Sequence, residues 1–247
     1  MTEDRQDNLF ADAAITVKSV CKAFGSKIVL DNVGFQVPEA TAVCLCGPNG
    51  AGKSTLLQTI AGLLHPERGE IYICGQNVKS ADRHLRKKLG VILHSTMIYS
   101  DLTVLENLLF FAALYGADDR TGRVDELLKQ AGLFAYRCEK AARLSRGMAQ
   151  RLTIARALVH RPSVLLADEP FTNLDAEACG YLTETLEDFT SRGGVLLMAT
   201  HDIRLGLQCC DSVLVLDGGQ LILDSRKCKI DIQQFSRDYL MYARNCR

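Results

Sequence analysis

The sequence predicts an α/β domain built on a largely parallel sheet, with a β-rich segment ahead of it and a helical subdomain inserted into it. Three observations carry this prediction. Short apolar runs of buried-strand type recur along the chain with helical patterns between them. The opening segment carries β-branched residues and alternating apolar positions. From about Leu102 to His160 no strand-like run occurs and helical patterns dominate.

Taken in order, Ile15 to Val20 and Ile28 to Val37 are expected as strands flanking the turn-like Phe24-Gly25-Ser26. Ala42 to Cys46 is a short apolar run, followed by a glycine-rich loop and a helix from Lys53 to Leu64 that stops near His65-Pro66. Further strands are expected at Glu70 to Cys74, Gly90 to Leu93, Val164 to Ala167, Val195 to Ala199 and Ser212 to Leu216, with Gly218-Gly219 turning into Leu221-Ile222-Leu223. The domain is expected over 12–225 with its helical subdomain at about 95–160. A tail over 226–247 follows, carrying one short helix from roughly Ile230 to Arg244.

Composition narrows the function classes. The 247 residues are 47% hydrophobic and 23% charged, the profile of an ordinary globular chain rather than a disordered or fibrous one. Lys plus Arg (29) balance Asp plus Glu (29), so no nucleic-acid partner is expected. The longest apolar run, Leu108 to Tyr115, is far short of the ~20 residues that cross a bilayer as a helix. The acidic, polar start lacks a secretory pattern, so a cytoplasmic location is expected. The ten cysteines contain no Cys-x-x-Cys pair and are read as thiols, with Cys44 and Cys46 on one face of a strand as core.

Gly47-Pro48-Asn49-Gly50-Ala51-Gly52-Lys53-Ser54 fits the phosphate-loop pattern Gly-x4-Gly-Lys-Ser/Thr, after a strand and opening a helix. Such a loop aims backbone N–H groups and a helix N-terminus at one anion. Lys53 is expected on the β- and γ-phosphates and the Ser54 hydroxyl on Mg²⁺. Gly47 through Ser54, with Thr55, form the expected ATP cradle. Asp168 and Glu169 end the Val164 strand; Asp168 is expected to hold Mg²⁺ and Glu169 to take a proton from the attacking water. Read alone, the pair is also compatible with a solvated strand end.

With these motifs in place, the chain resembles the nucleotide-binding subunits of ATP-binding cassette (ABC) transporters from about residue 12 to 224. The resemblance implies a P-loop NTPase, RecA-like core with an antiparallel β subdomain and an inserted helical subdomain. It also implies ATP hydrolysis with Mg²⁺ and a head-to-tail pair made with a second copy or a related ATPase. Leu144-Ser145-Arg146-Gly147-Met148-Ala149-Gln150-Arg151 resembles the family's signature motif, in which Ser145 and Gly147 would touch ATP bound by the opposite subunit. Read alone, Ser145 is an ordinary helix N-cap. Asp175, in Thr172-Asn173-Leu174-Asp175, would link the two ATP sites, and His201 would contact the γ-phosphate and help position the water. Phe24 would stack on adenine, the alternative being a buried core phenylalanine.

The chain departs from the family at His94, which stands where a glutamine usually approaches Mg²⁺ and the water. Imidazole is a poor ligand for Mg²⁺, so His94 is expected to act through water or as a hydrogen-bond donor. Arg146 and Met148 replace the more usual glycine and glutamine. The Ser-x-Gly-Met form is similar to ATPases of the ABC type 2 exporters and to the haem exporter ATPase of cytochrome c maturation. The run from His94 to Tyr115 favours the haem exporter. Met97, Ile98 and Tyr99, with an over-apolar helix from Val104 to Tyr115, are expected to receive an integral membrane permease, the alternative being a helix buried in its own subdomain. The chain would then lie on the inner face of the cell membrane through that permease. A soluble cassette ATPase of iron–sulfur assembly remains the alternative.

Overall fold

The opening alternation becomes a long hairpin, β1 (Ala13–Phe24) and β2 (Lys27–Pro38), and the first glycine-rich loop leaves the end of β3 (Ala42–Cys46). The structure, a computed structural model, describes residues 13–80, 83–93, 95–117, 119–172 and 174–226. The tail expected beyond Arg226 lies outside the described residues.

Two sheets organise the chain. The smaller, antiparallel sheet has the order β2-β1-β4-β5, with β4 at Arg68–Ile73 and β5 at Gln76–Asn77. The larger has the order β10-β9-β3-β8-β7-β6. Its strands β6 (Leu89–Ile92), β7 (Val164–Asp168), β8 (Val195–Ala199) and β9 (Ser212–Asp217) run parallel with β3, and β10 (Gln220–Arg226) returns antiparallel. The parallel strands are buried on both faces, which is why they read as continuous apolar runs.

Strand alternation divides the interior into two cores. Val43, Leu45, Leu166, Leu197 and Leu214 face one cluster with α1 (Lys53–Ile60) and the small sheet. Cys44, Cys46, Leu165, Leu196, Met198 and Val213 face the other, which continues into the helical subdomain. That subdomain contains α3 (Val104–Tyr115), α4 (Arg120–Gln130) and α5 (Arg146–Leu158). α3 begins in a reciprocal cap between Thr103 and Glu106 and ends at Gly116. The remaining helices are α2 (Arg83–Lys88), α6 (Ala176–Ser191) and α7 (Ile203–Cys209).

Helix α1 stops earlier than the sequence pattern suggests. The Gly62 and Leu63 amides donate to Thr59 and Gln58, and Gly62 takes φ +71°, so the chain closes on itself before Leu64. Among the described residues no helix is long and apolar enough to cross a membrane.

Candidate functional site

Strands β3, β8 and β7 are neighbours, and their carboxyl ends lie side by side. Leu45 pairs with Ala199, and Ala199 with Asp168. The residues that follow these strands, Gly47 onward, Thr200-His201 and Glu169, therefore emerge at one edge, where open parallel sheets bind ligands.

The loop passes close to neighbouring backbone at two of its glycines. A Cβ on Gly47 would sit 2.2 Å from the Leu216 carbonyl oxygen, and Gly52, at φ +106°, would meet the Val29 carbonyl at 2.7 Å. Only glycine lets the backbone pass here in the conformation that a phosphate-binding loop needs. Ala51 is buried, its N–H donating to the Pro48 carbonyl, while Asn49 and Gly50 form the exposed tip. Lys53 is buried and donates to the Gly47 and Pro48 carbonyls at 2.8 and 3.1 Å. Burial pulls its ammonium below the usual lysine range, and the charges of Glu169 and Asp168 oppose that pull. Ser54 and Thr55 lie in the first turn of α1. The Ser54 hydroxyl donates to Asp168 Oδ1 at 3.0 Å, so a hydroxyl and a carboxylate converge as a hard oxygen donor pair suited to Mg²⁺.

Glu169 takes φ +50°, unusual for a residue other than glycine. Its N–H donates to the Ala199 carbonyl at 2.8 Å. Its Oε2 accepts from Thr200 Oγ1 at 3.3 Å and lies 2.8 Å from His201 Nδ1. His201, two residues beyond the end of the neighbouring strand β8, is thus brought to Glu169. Phe24 is 51% exposed at the tip of the hairpin, with Lys22 Nζ 5.3 Å from its ring centroid, so the buried-core alternative is not what the structure shows. Val29, which abuts Gly52, belongs to the same hairpin and so brings Phe24's hairpin against the loop.

The signature residues are placed elsewhere. Ser145 caps α5, its hydroxyl accepting the Met148 N–H at 3.3 Å. A Cβ on Gly147 would lie 3.5 Å from Asp175 Oδ2, and the other carboxylate oxygen of Asp175 caps α6 by accepting from Ala178 N–H at 2.8 Å. Among the described residues no hydrogen bond joins Ser145 or Gly147 to the phosphate loop. His94 lies outside the described residues. Two contacts were not anticipated from the sequence. Thr200 binds Glu169, and the Gln150 amide donates to the Pro170 carbonyl at 3.2 Å. Each joins residues far apart in the chain, so only a threonine beside a strand-end histidine could have hinted at the first. A surface cleft of about 850 Å³ between α4 and α6, lined in part by Arg123, Pro162, Tyr181 and Phe189, is separate from all these loops.

A family model described as ABC transporter matches residues 30–172. The chain belongs to the ABC transporter ATP-binding family. It is 39% identical over 214 residues to Nod factor export ATP-binding protein I of Burkholderia orbicola (strain AU 1054), an alignment covering 86% of this chain and 70% of that protein. The protein of the same name from Rhizobium etli (strain ATCC 51251 / DSM 11541 / JCM 21823 / NBRC 15573 / CFN 42) is 35% identical over 224 residues, covering 90% and 71%. Among solved structures, an ATP-binding subunit of an ABC transporter superposes with TM-score 0.83 at 31% identity, covering 90% of this chain and 93% of that one. The dimeric bacterial ABC transporter cassette MJ0796 superposes with TM-score 0.80 at 30% identity, covering 86% and 98%.

These findings give the fold as the ABC ATPase form of the RecA-like core and the activity as ATP binding and hydrolysis with Mg²⁺. They also correct one expectation. The resemblance to the haem exporter ATPase of cytochrome c maturation is overturned, since the similar proteins carry the name Nod factor export instead.

Proposed function

We propose that this ABC ATPase powers an exporter of the ABC type 2 class, two cassettes closing head to tail over two ATP molecules and driving a separate membrane permease. The observation that carries the reading is the separation within one chain. The phosphate loop, Asp168, Glu169 and His201 share one sheet edge, while Gly147 lies against Asp175 and Ser145 caps α5, with no bond from either to that loop among the described residues. A signature held away from its own loop suits a site completed by a second cassette. The export names of the relatives and the dimeric state of MJ0796 support the same reading.

In it, Phe24 stacks on adenine, Lys53 and the backbone N–H groups of the loop from Gly47 to Thr55 hold the phosphates, Pro48 having none and Ala51 directing its own at the Pro48 carbonyl, and Ser54 and Asp168 hold Mg²⁺. The ion, when bound, neutralises charge on the β- and γ-phosphate oxygens. Glu169 accepts the proton of the water that attacks the γ-phosphorus as the bond to the ADP oxygen breaks. His201 positions that phosphate and His94 the water. Ser145 and Gly147 bind the opposite ATP, and Asp175 ties the two sites together.

The permease surface is the exposed apolar side of the helical subdomain. The buried face of α3 is used by its own core through Val104, Leu108, Phe111 and Ala112, yet Met97, Tyr99, Phe110 and Leu114 remain 41–55% exposed. Tyr99 meets Phe110 edge-on at 5.1 Å, and Asn107 pins the loop by bonding the Tyr99 N–H and carbonyl at 2.9 and 3.0 Å. An ordered apolar patch of this kind fits a partner helix.

The test is affinity capture of a tagged Glu169→Gln chain from detergent-solubilised membranes with ATP. Hydrolysis should fall by about 100-fold or more, and a multi-spanning permease should be recovered. Tyr99→Glu in the same background should lose it. Recovery of soluble proteins alone, with no tagged chain on membranes, would refute the exporter reading.

A further inference from the structure

We propose that Thr200 is a positioning residue for the Glu169 carboxylate, holding Oε2 while His201 is released to the phosphate. The inference deepens the reading of Glu169 as the proton acceptor and rests on it. Three successive residues at the end of β8 act on Glu169: the Ala199 carbonyl through the backbone, the Thr200 hydroxyl and the His201 imidazole. The last two share one oxygen, Oε2, but differ in standing. The His201 side chain is 60% exposed, whereas Thr200 is 1% exposed.

Thr200 is fixed on every side. Its N–H donates to the Leu45 carbonyl at 3.1 Å, and its hydroxyl oxygen accepts the Asp202 N–H at 3.0 Å. With a lone pair occupied from that direction, the hydroxyl proton is left for the carboxylate. The methyl group packs against α7, where a Cβ on Gly206 would come within 3.1 Å of it. A β-branched side chain wedged in this way keeps one rotamer. The hydroxyl is therefore aimed at Oε2 before the reaction, and it stays there when the exposed imidazole turns away. Glu169 Oε1 takes no hydrogen bond among the described residues and is the oxygen left for water. The other charges near this carboxylate, Lys53 and Asp168, belong to the phosphate and Mg²⁺ side.

The experiment measures steady-state ATP hydrolysis by the full-length purified chain carrying Thr200→Val, Thr200→Ser, Glu169→Gln, and Glu169→Gln with Thr200→Val. Valine keeps the volume and the rotamer and removes the hydroxyl. Losing a hydrogen bond to a charged group should lower kcat by about tenfold, with KM for ATP within about twofold, and serine should restore most of the loss. In the Glu169→Gln background the valine should add nothing, because the group it positions is gone. Full kcat in Thr200→Val beside an impaired Glu169→Gln would overturn the role of Thr200. So would a raised KM in Thr200→Val, or a serine variant no better than valine, since either marks a packing role. Normal turnover by Glu169→Gln would instead overturn Glu169 as the proton acceptor, a separate outcome.

Discussion

Acidification should destabilise this fold through a single buried imidazole. His160 follows α5 and stacks on Tyr115, at the end of α3, with ring centroids 3.9 Å apart. Its Nε2 donates to the Leu89 carbonyl at 2.9 Å, which leaves Nδ1 as the unprotonated nitrogen, buried without a partner. A second proton would place an N–H where no acceptor stands, next to the buried guanidinium of Arg156. Burial first, and the Arg156 charge after it, hold the imidazole at about 4 against an ordinary 6.5, although the Leu89 carbonyl pulls the other way. The unfolded chain therefore takes up this proton as pH falls through about 6.5, and the folded one only near 4. Between those values the unfolded state binds more protons, so stability drops as pH drops and returns above the unfolded value. The full shift corresponds to roughly 3 kcal/mol, of which about 2 kcal/mol should be lost between pH 7 and pH 5. Urea unfolding of the wild type and of His160→Phe at the two pH values isolates the effect. Phenylalanine keeps the stack on Tyr115 and cannot titrate, so it should start less stable, by about 1 kcal/mol for the lost bond to Leu89. Its pH slope should then be shallower by about 2 kcal/mol. Carboxylates such as Glu126, held low by Arg123, contribute equally to both proteins and cancel. Equal slopes in the two proteins would refute the argument.

Two further outcomes follow from close contacts. A Cβ on Gly206 would lie 2.3 Å from Cys44 Sγ and 3.1 Å from the Thr200 methyl. Gly206→Ala should therefore cost about 1–3 kcal/mol by overpacking and lower kcat through the displaced Thr200, read by thermal unfolding and ATPase rate together. Asp175→Ala removes the N-cap of α6 and should cost about 1 kcal/mol in denaturant unfolding, without altering the phosphate loop of the same chain.

Much of the core was legible because its strands are buried on both faces. The five parallel strands read as apolar runs, and where glycine, acid or histidine interrupts such a run at its carboxyl end, the site begins. Elements with mixed burial were not so readable. Helix α2 is short and basic, with Leu85 its only buried residue, so no period marks it. Strand β1 runs on past Val20 only by passing through Ser19 at φ +47° and a shift in register, an irregularity that breaks the alternation a reader would follow. The exposure of Phe24 depends on where a hairpin tip lands beside a distant loop, which no local pattern encodes. The misreading of the exporter type has a physical reason as well. The run from His94 to Tyr115 that favoured the haem exporter is largely helix α3, whose Val104, Leu108, Phe111 and Ala112 are buried in its own core, so much of its character reports on packing inside the ATPase. On the proposed reading, cargo is met by the permease and not by these residues.

The charge balance at the sheet edge explains why one chain's half of the site would wait for a second. It holds one buried cation, Lys53, against two carboxylates, Asp168 and Glu169, so it offers no net positive charge to a polyphosphate. Mg²⁺ on Ser54 and Asp168 would offset part of this. The loop N–H groups and the start of α1 would offset more, and the first turn of α5 from a second chain is suited to add to them, since it carries no acidic residue and begins with Arg146 after the Ser145 cap. On the proposed reading the γ-phosphate is the group both halves need, so closure of the pair would be conditional on ATP and cleavage would remove the charge that holds the halves together. Because Gln150 bonds to Pro170 beside Glu169, movement of the signature in one chain would reach that chain's own Glu169, the carboxylate proposed to act on water, through this contact. On the proposed reading, hydrolysis at either site would then be felt at both.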